Sequence, residues 1–336
     1  MMNRKLEFAL ILCAVVAACS AASHAAIRFL KIRATHGGYH HYGPKEQKAL
    51  SILHGSSLAY DGLDWGEISE ALGGAIVSWA TPGSSPPEWE VQHRRSPGVT
   101  RTWVVISPYD LNEYLLCDFR ADIVPLTQAL RDLWRTDADW QFCKRIISQY
   151  PMMVVRKIFP TVGRSDGVMT GVRDWLQKLV QGQSSVDSGD VRKFGSTGAS
   201  EVKERLSDWP PSRLQRRLVL MRSACQGRHT FNGPKKLALT RLLQQARHHG
   251  AVTCVVMPVS PIYQKEFLTP KVRQDFEAVL AELQQQSPRA MLIRLDQLPE
   301  FQDNALFSDF VHLNSYGQQI ATAAFLSQLK KPAGQP

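Results

Sequence analysis

Two short stretches carry side chains that could do chemistry together: "HGSS" at residues 54–57 and "SDFVH" at residues 308–312. A nucleophilic serine needs exposure at a strand end, a base within reach and donors for the developing oxyanion. "SILHG" is an apolar run ending on Gly55, which permits a tight turn, and Ser57 lies two positions beyond it. Asp309 and His312 are three residues apart, so in a turn or first helical turn they share a face. Asp309 can then accept the His312 Nδ1–H and leave Nε2 to take a proton from Ser57. Each piece also has an ordinary reading. Gly-Ser-Ser makes a turn with a helix-capping serine, and Asp309 makes a cap beside an exposed histidine.

Two further blocks supply candidate oxyanion donors. "ATPGSSPP" contains Gly83, whose backbone N–H lies in a loop, and "SPYDLNEY" contains Asn112, which has a side-chain N–H. Their ordinary readings are a Pro-Gly turn and a loop or cap residue. Ser57, Gly83 and Asn112 all fall just after apolar runs, where open α/β sheets build their sites.

Elements must position these residues. "LSILHG", "AIVSW" and "TRTWVVI" read as strands, and "GEISEALGG" as a helix with a glycine C-cap. "PGSSPPEW" reads as a loop. Residues 27–48 read as a polar, basic lead-in. In residues 115–250, "ADIVPLTQALRDLWRTDADWQFCKRIIS", "SRLQRRLVLMRSA" and "KKLALTRLLQQARHHG" have helical periodicity, while "GQSSVDSGDVRKFGSTGAS" reads as a polar linker. Strand and helix then alternate again through "AVTCVVMPVSP", "DFEAVLAELQQQ", "AMLIRLDQLP" and "SYGQQIATAAFLSQL". The expected fold is an α/β, three-layer parallel sheet with helices on both faces and a helical insertion at about 115–250.

The order of blocks resembles the SGNH (GDSL-type) hydrolase superfamily, named for Ser, Gly, Asn and His in four blocks. Ser57 matches the nucleophile, Gly83 and Asn112 the oxyanion donors, and Asp309 with His312 the D-x-x-H block. "DFVHLNSYG" is the most specific match. Ser56 stands where the family has Asp, and "SPYDLNEY" replaces Gly-x-Asn-Asp, leaving Asp110 or Tyr109 as alternatives to Asn112. The match covers about residues 50–115 and 250–330. It is similar to the exported, membrane-anchored branches, which include alginate O-acetyltransferase-like and D-alanine-transfer proteins. The resemblance implies a flavodoxin-like sheet and a serine-dependent esterase or O-acyltransferase needing no metal or cofactor. Its substrates would be acylated glycans or other cell-envelope polymers, and a membrane-bound acyltransferase is a natural partner. A non-catalytic scaffold binding a polysaccharide or a partner is the rival reading, separated by whether Ser57 and His312 are within reach of each other.

The leader bears on compartment. After "MMNRK", residues 6–26 are mostly apolar. Residues 1–33 are therefore expected to be a signal peptide or an inner-membrane anchor, with the remainder, 34–336, extracytoplasmic or periplasmic. "SHA" before Ala26 fits cleavage, Cys19 in "VAAC" fits a lipoprotein box, and an uncleaved anchor is favoured. The net charge is +10. In an exported protein it suits anionic lipid or acidic glycan rather than nucleic acid. The basic cluster at Arg213, Arg216 and Arg217 is too sparse for a nucleic-acid arm. His36, His40 and His41 lie close together, but the glycines between them argue against a helical zinc pair, so an exposed loop is expected. His248 and His249 suit a helix C-terminus. Cys254 reads as a buried thiol, and Cys117 and Cys143 are a conceivable disulfide. Trp134, Trp140, Trp175 and Trp209 in the insertion read as packing residues rather than as sugar platforms.

Overall fold

The structure is a computed structural model, and it describes residues 15–25, 40–42, 51–96, 98–115, 123–136, 140–151, 155, 202–225 and 227–329. The chain forms two compact units: Met1–His36 with Ile147–Arg192, and Gly37–Ile146 with Lys193–Pro336. In the first unit residues 15–25 are helical. Among the described residues, no helix is long and apolar enough to cross a membrane, and the first part of the leader lies outside them. So do His36, Cys117, Trp175 and the polar stretch from Gly182.

The larger unit holds a six-stranded sheet. Its strands are β1 (His40–Tyr42), β2 (Ser51–His54), β3 (Ile76–Ser78), β4 (Arg101–Ile106), β5 (Ala251–Val256) and β6 (Met291–Arg294). The spatial order is β1-β3-β2-β4-β5-β6. Strands β2 to β6 are mutually parallel. β1 is an antiparallel edge strand, His40 facing Ser78. His40 and His41 thus lie in a strand where a loop was expected. Taken alone in chain order, the parallel strands run 2-1-3-4-5, the flavodoxin-like order. The order reverses between β2 and β4, which leaves a crevice at their carboxyl ends.

Period-two alternation sorts β4 between two cores. Trp103 and Val105 join one cluster with Leu53, Trp65, Val255 and Phe325. Val104 and Ile106 join the other with Trp89, Leu239, Cys254 and Phe276. The first face is covered by α1 (Ser57–Gly62), α2 (Trp65–Leu72), α7 (Pro211–Ala224), α9 (Pro261–Phe267) and α11 (Ser315–Leu329). The second is covered by α3 (Pro86–Arg94), α8 (Pro234–His249) and α10 (Pro270–Gln286). The short α4 (Pro108–Leu111) follows β4. This is the three-layer α/β arrangement, with a sheet buried on both faces.

Helix α3 lies where the sequence reads as a loop. Its Pro-Pro start supplies the first helical turn, where missing N–H groups cost nothing. Its polar residues Glu88, Glu90, Gln92 and His93 are buried, so no amphipathic stripe marks it.

Helices α5 (Leu126–Trp134) and α6 (Trp140–Ile147) follow the expected helical periodicity. α5 is fastened by charge. Arg241 of α8 donates Nε to Glu90 Oε1 at 2.9 Å and Nη2 to Glu90 Oε2 at 2.8 Å. Its Nη2 also reaches Asp132 Oδ2 at 2.7 Å. Gln128 Nε2 donates to Glu90 Oε2 at 2.9 Å, and Arg94 pairs with Glu90 as well. α8 packs tightly on α3 and ends on His248 and His249 as its sequence indicates.

Candidate active site

Ser57 is the first residue of α1, immediately beyond β2. Gly55 makes the strand-to-helix turn possible: a Cβ there would lie 2.3 Å from Ala59 Cβ and 3.3 Å from Val105 O. Ser56 is the N-cap, its hydroxyl accepting from Leu58 N at 3.2 Å. The indole of Trp65 supports the turn from below, donating to Ala59 O at 2.7 Å.

His312 and Asp309 sit in the loop between Phe307 and Leu313, which pair as an isolated bridge. Ser308 N donates to His312 O at 2.9 Å, closing the loop. Asn314 caps the following helix, its Oδ1 accepting from Tyr316 N and Gly317 N. A Cβ at Gly317 would stand 2.2 Å from Leu306 O, which explains the glycine in "HLNSYG". Helix α11 is locked to the element carrying Ser57. Gln318 Nε2 donates to Asp61 O at 3.0 Å, and Asp64 N donates to Thr322 Oγ1 at 2.9 Å.

The result is a continuous relay. Ser57 Oγ lies 2.7 Å from His312 Nε2. His312 Nδ1 lies 2.9 Å from Asp309 Oδ2 and 3.0 Å from Oδ1. Asp309 Oδ1 also accepts from the Val311 and His312 backbone N–H groups, both at 2.9 Å. Burial alone would raise the Asp309 carboxyl. The hydrogen bond and charge of His312, with the two backbone donors, win and hold it at about 2. Burial would lower His312, but Asp309 outweighs it, so the imidazole sits above its usual value. Both side chains keep some solvent contact, 26% for His312 and 23% for Asp309.

Gly83, with a φ of 77°, lies in the loop after β3. That loop is tied to the Ser57 turn at the carbonyl of Gly55, which accepts from Thr81 N at 3.1 Å and Ser84 Oγ at 2.8 Å. Trp89 Nε1 in turn donates to Ser84 Oγ at 2.7 Å. Ser57 and Gly83 line one cavity of about 200 Å³, together with Ser84, Ser85 and Tyr109. Asp110, Leu115 and Lys235 complete its wall. Neither the Ser57 nor the Gly83 backbone N–H donates to a protein acceptor among the described residues.

Asn112 is placed differently from its expected oxyanion role. It is fully buried and does not line the cavity. Its Nδ2 donates to Arg228 O at 3.3 Å, and its Oδ1 accepts from Tyr114 N and Thr230 N. Its amide therefore fastens residues 228–230 to the loop after β4. Asp110 and Tyr109, the alternatives in that block, both reach the cavity. Burial raises the Asp110 carboxyl. Hydrogen bonds from Ser56 and Ser107, with the charges of Lys235 and His312, draw it part of the way back.

Sequence reasoning missed two features that shape the site. Lys235 Nζ donates to the carbonyls of Asp110, Asn112 and Leu115 at 3.0, 2.8 and 2.9 Å. Glu113 caps α8, accepting from Lys235 N at 2.9 Å and Lys236 N at 3.2 Å, and burial pushes its carboxyl up to about 7. The second feature is the strap at residues 202–209, which grips the loop carrying Asp309 and His312. Leu206 N donates to Phe307 O at 2.7 Å, Asn314 Nδ2 to Glu204 O at 3.2 Å, and Ser315 N to Val202 O at 2.8 Å. Trp209 packs on Phe310, ring centroids 6.1 Å apart. Trp134 and Trp140, expected to pack, are instead exposed at 91% and 72%.

Among the described residues, no group of three His, Cys, Asp or Glu is arranged to hold a metal ion. The arrangement suits transfer of a proton between Ser57 and His312, with Asp309 fixing the imidazole tautomer. No family model matches the chain, and no curated protein matches it.

Proposed function

We propose that this chain is a serine-dependent esterase or O-acyltransferase of the SGNH type. Its substrates are acyl groups on a cell-envelope polysaccharide or a related glycan. The observation that carries the reading is the Ser57–His312–Asp309 relay, with links of 2.7 and 2.9 Å, at the reversal point of a flavodoxin-like sheet. That distance also favours the enzyme over a purely binding scaffold, for which the relay has no use.

In the proposed mechanism Ser57 Oγ attacks the carbonyl carbon of an ester or thioester. His312 Nε2 takes the Ser57 proton, and Asp309 stabilises the imidazolium. The backbone N–H groups of Ser57 and Gly83, two residues that line the cavity, are the proposed oxyanion donors, the Asn112 amide being engaged elsewhere. Collapse of the tetrahedral adduct breaks the bond to the leaving oxygen or sulfur, which His312 protonates. Water or a sugar hydroxyl, deprotonated by His312, then attacks the acyl-serine, the bond to Ser57 Oγ breaks, and His312 returns the proton to Ser57. Each oxyanion donor contributes about 2.7–4 kcal/mol to the transition state. The cavity of about 200 Å³ has room for a short acyl group. In this reading the leader delivers the chain beyond the inner membrane, where a membrane-bound acyltransferase supplies or shares the acyl group.

Cleavage of p-nitrophenyl acetate by the full chain, beside Ser57→Ala and His312→Ala, tests the proposal. Turnover abolished by both substitutions is expected. A folded wild type that neither turns over nor reacts with an active-site serine probe overturns it in favour of the binding scaffold.

A further inference from the structure

Helix α7 stands out because its outward face is built unlike that of a solvated helix. Leu214, Leu218 and Met221 turn inward to the first core. At 3.6 residues per turn, Arg216, Val219, Leu220 and Ser223 then share the opposite face. Val219 and Leu220 are 55% and 60% exposed. Arg216 projects one turn before them, and Arg217 flanks Leu220 at i+3. Neither arginine has an ion-pair partner among the described residues. By contrast, Arg213 pairs with Glu204, and Arg222 Nη2 meets Glu266 Oε2 at 2.5 Å.

Two aliphatic tips bracketed by arginines with no ion-pair partner among the described residues match the boundary between lipid headgroups and acyl chains. The guanidinium groups would meet phosphates, and the tips would enter the apolar layer. A soluble polyanion accounts for the arginines but not for the exposed aliphatics. A protein partner, whose interfaces are also rich in arginine, would give crosslinks to polypeptide in place of lipid. The net charge of +10 draws the chain towards an anionic surface in the same sense.

We propose that the outer face of α7 docks on an anionic lipid surface through Arg216, Arg217, Val219 and Leu220. The consequence for the site is mechanical. The strap at 202–209 leads directly into α7 and holds the catalytic loop by three backbone-anchored hydrogen bonds. Arg213 stacks over Trp209, its guanidinium 3.9 Å from the ring centroid, joining helix to strap. Lipid contact along α7 would therefore fix the position of Asp309 and His312 relative to the membrane surface. The inference does not depend on Ser57 being acylated.

A photo-crosslinking benzoylphenylalanine at Leu220 in the full chain, reconstituted into vesicles, tests this, with the same group at the exposed Lys271 of α10 as control. A lipid adduct is expected at Leu220 and not at Lys271, in vesicles containing about one third phosphatidylglycerol. Pure phosphatidylcholine should lower the yield at Leu220. Arg216→Glu with Arg217→Glu should lower it at least about tenfold, two arginines near such a surface being worth about that much or more. Both substitutions are on exposed positions, and an unchanged thermal midpoint verifies the fold. Equal yields in neutral and anionic vesicles, an adduct at Lys271 matching that at Leu220, or crosslinks only to a second copy of the chain would overturn the proposal. Because contact is read at one side chain, retention on vesicles through the apolar N-terminal run does not imitate the result.

Discussion

Replacing Asp309 by Asn removes the charge from the relay while keeping its shape. Burial would raise the Asp309 carboxyl, but His312 and two backbone N–H groups hold it at about 2 against an ordinary 3.8. Asn keeps an acceptor for the two backbone N–H groups but loses the charge that holds the His312 imidazolium, its partner at 2.9 Å. A hydrogen bond to a charged group is worth about 1.5–3 kcal/mol, so its loss costs roughly tenfold to 150-fold in the step that charges His312. A second loss is added, because an Asn amide can donate to Nδ1 and select the wrong tautomer. In the serine-protease template that change costs about 10⁴ in kcat. The expected fall in kcat for p-nitrophenyl acetate therefore lies between about tenfold and 10⁴-fold, with KM little changed. The pH profile should move as well. His312 acts as a base only when neutral, and its pKa in the folded chain is raised. Wild-type activity should thus rise with pH through a midpoint above 6.5, and in Asp309→Asn the midpoint should move downward. A variant within fivefold of wild type, with an unmoved midpoint, would refute the coupling between these two side chains.

Three further outcomes follow from the same geometry. Arg241→Ala should lower stability in urea by about 1.5–3 kcal/mol, because it removes the hydrogen bonds of Arg241 to Glu90 and Asp132 and leaves them only the half-exposed Arg94 and Arg131; a loss under about 0.5 kcal/mol contradicts this. Burial first, and then the charge of His249, lowers His93 from 6.5 to about 4, so the folded chain holds it neutral. Its stabilisation should be complete above pH 6.5 and lost as pH falls towards 4, on the order of 3 kcal/mol in all, and His93→Gln should flatten that slope in urea titrations. An unchanged slope would dismiss His93 as the source. Gly55→Ala should cut esterase activity at least about a hundredfold, since the new Cβ would overlap Ala59 at 2.3 Å and shift Ser57. Near-normal kcat in that variant would mean the turn is more tolerant than drawn.

The sheet was legible because β2, β4 and β5 are short apolar runs ended by turn residues, as buried parallel strands should be. The terminal helix and the Asp309–His312 spacing were equally plain, being local patterns within a few residues. What escaped reading depends on contacts distant in sequence. α3 buries polar residues against α8, so its own periodicity is silent. Asn112 looks like any loop amide until Arg228 and Thr230 arrive to engage it. Lys235, one of two adjacent lysines, gives no hint that it alone will chelate three carbonyls more than a hundred residues away. The edge strand at His40–Tyr42 is too short and too polar to stand out from its basic surroundings. The exposure of Trp134 shows the same limit, since helical spacing says which residues share a face but not which face is covered.

The central claim is that Ser57 becomes acylated. Its most direct measurement is mass spectrometry of the full chain quenched early in the reaction with p-nitrophenyl acetate. An acetyl group on the peptide containing Ser57, absent in Ser57→Ala and depleted in His312→Ala, is the expected result. Product release without any adduct on Ser57, or equal labelling of Ser56 or Ser84 in its place, would contradict the account.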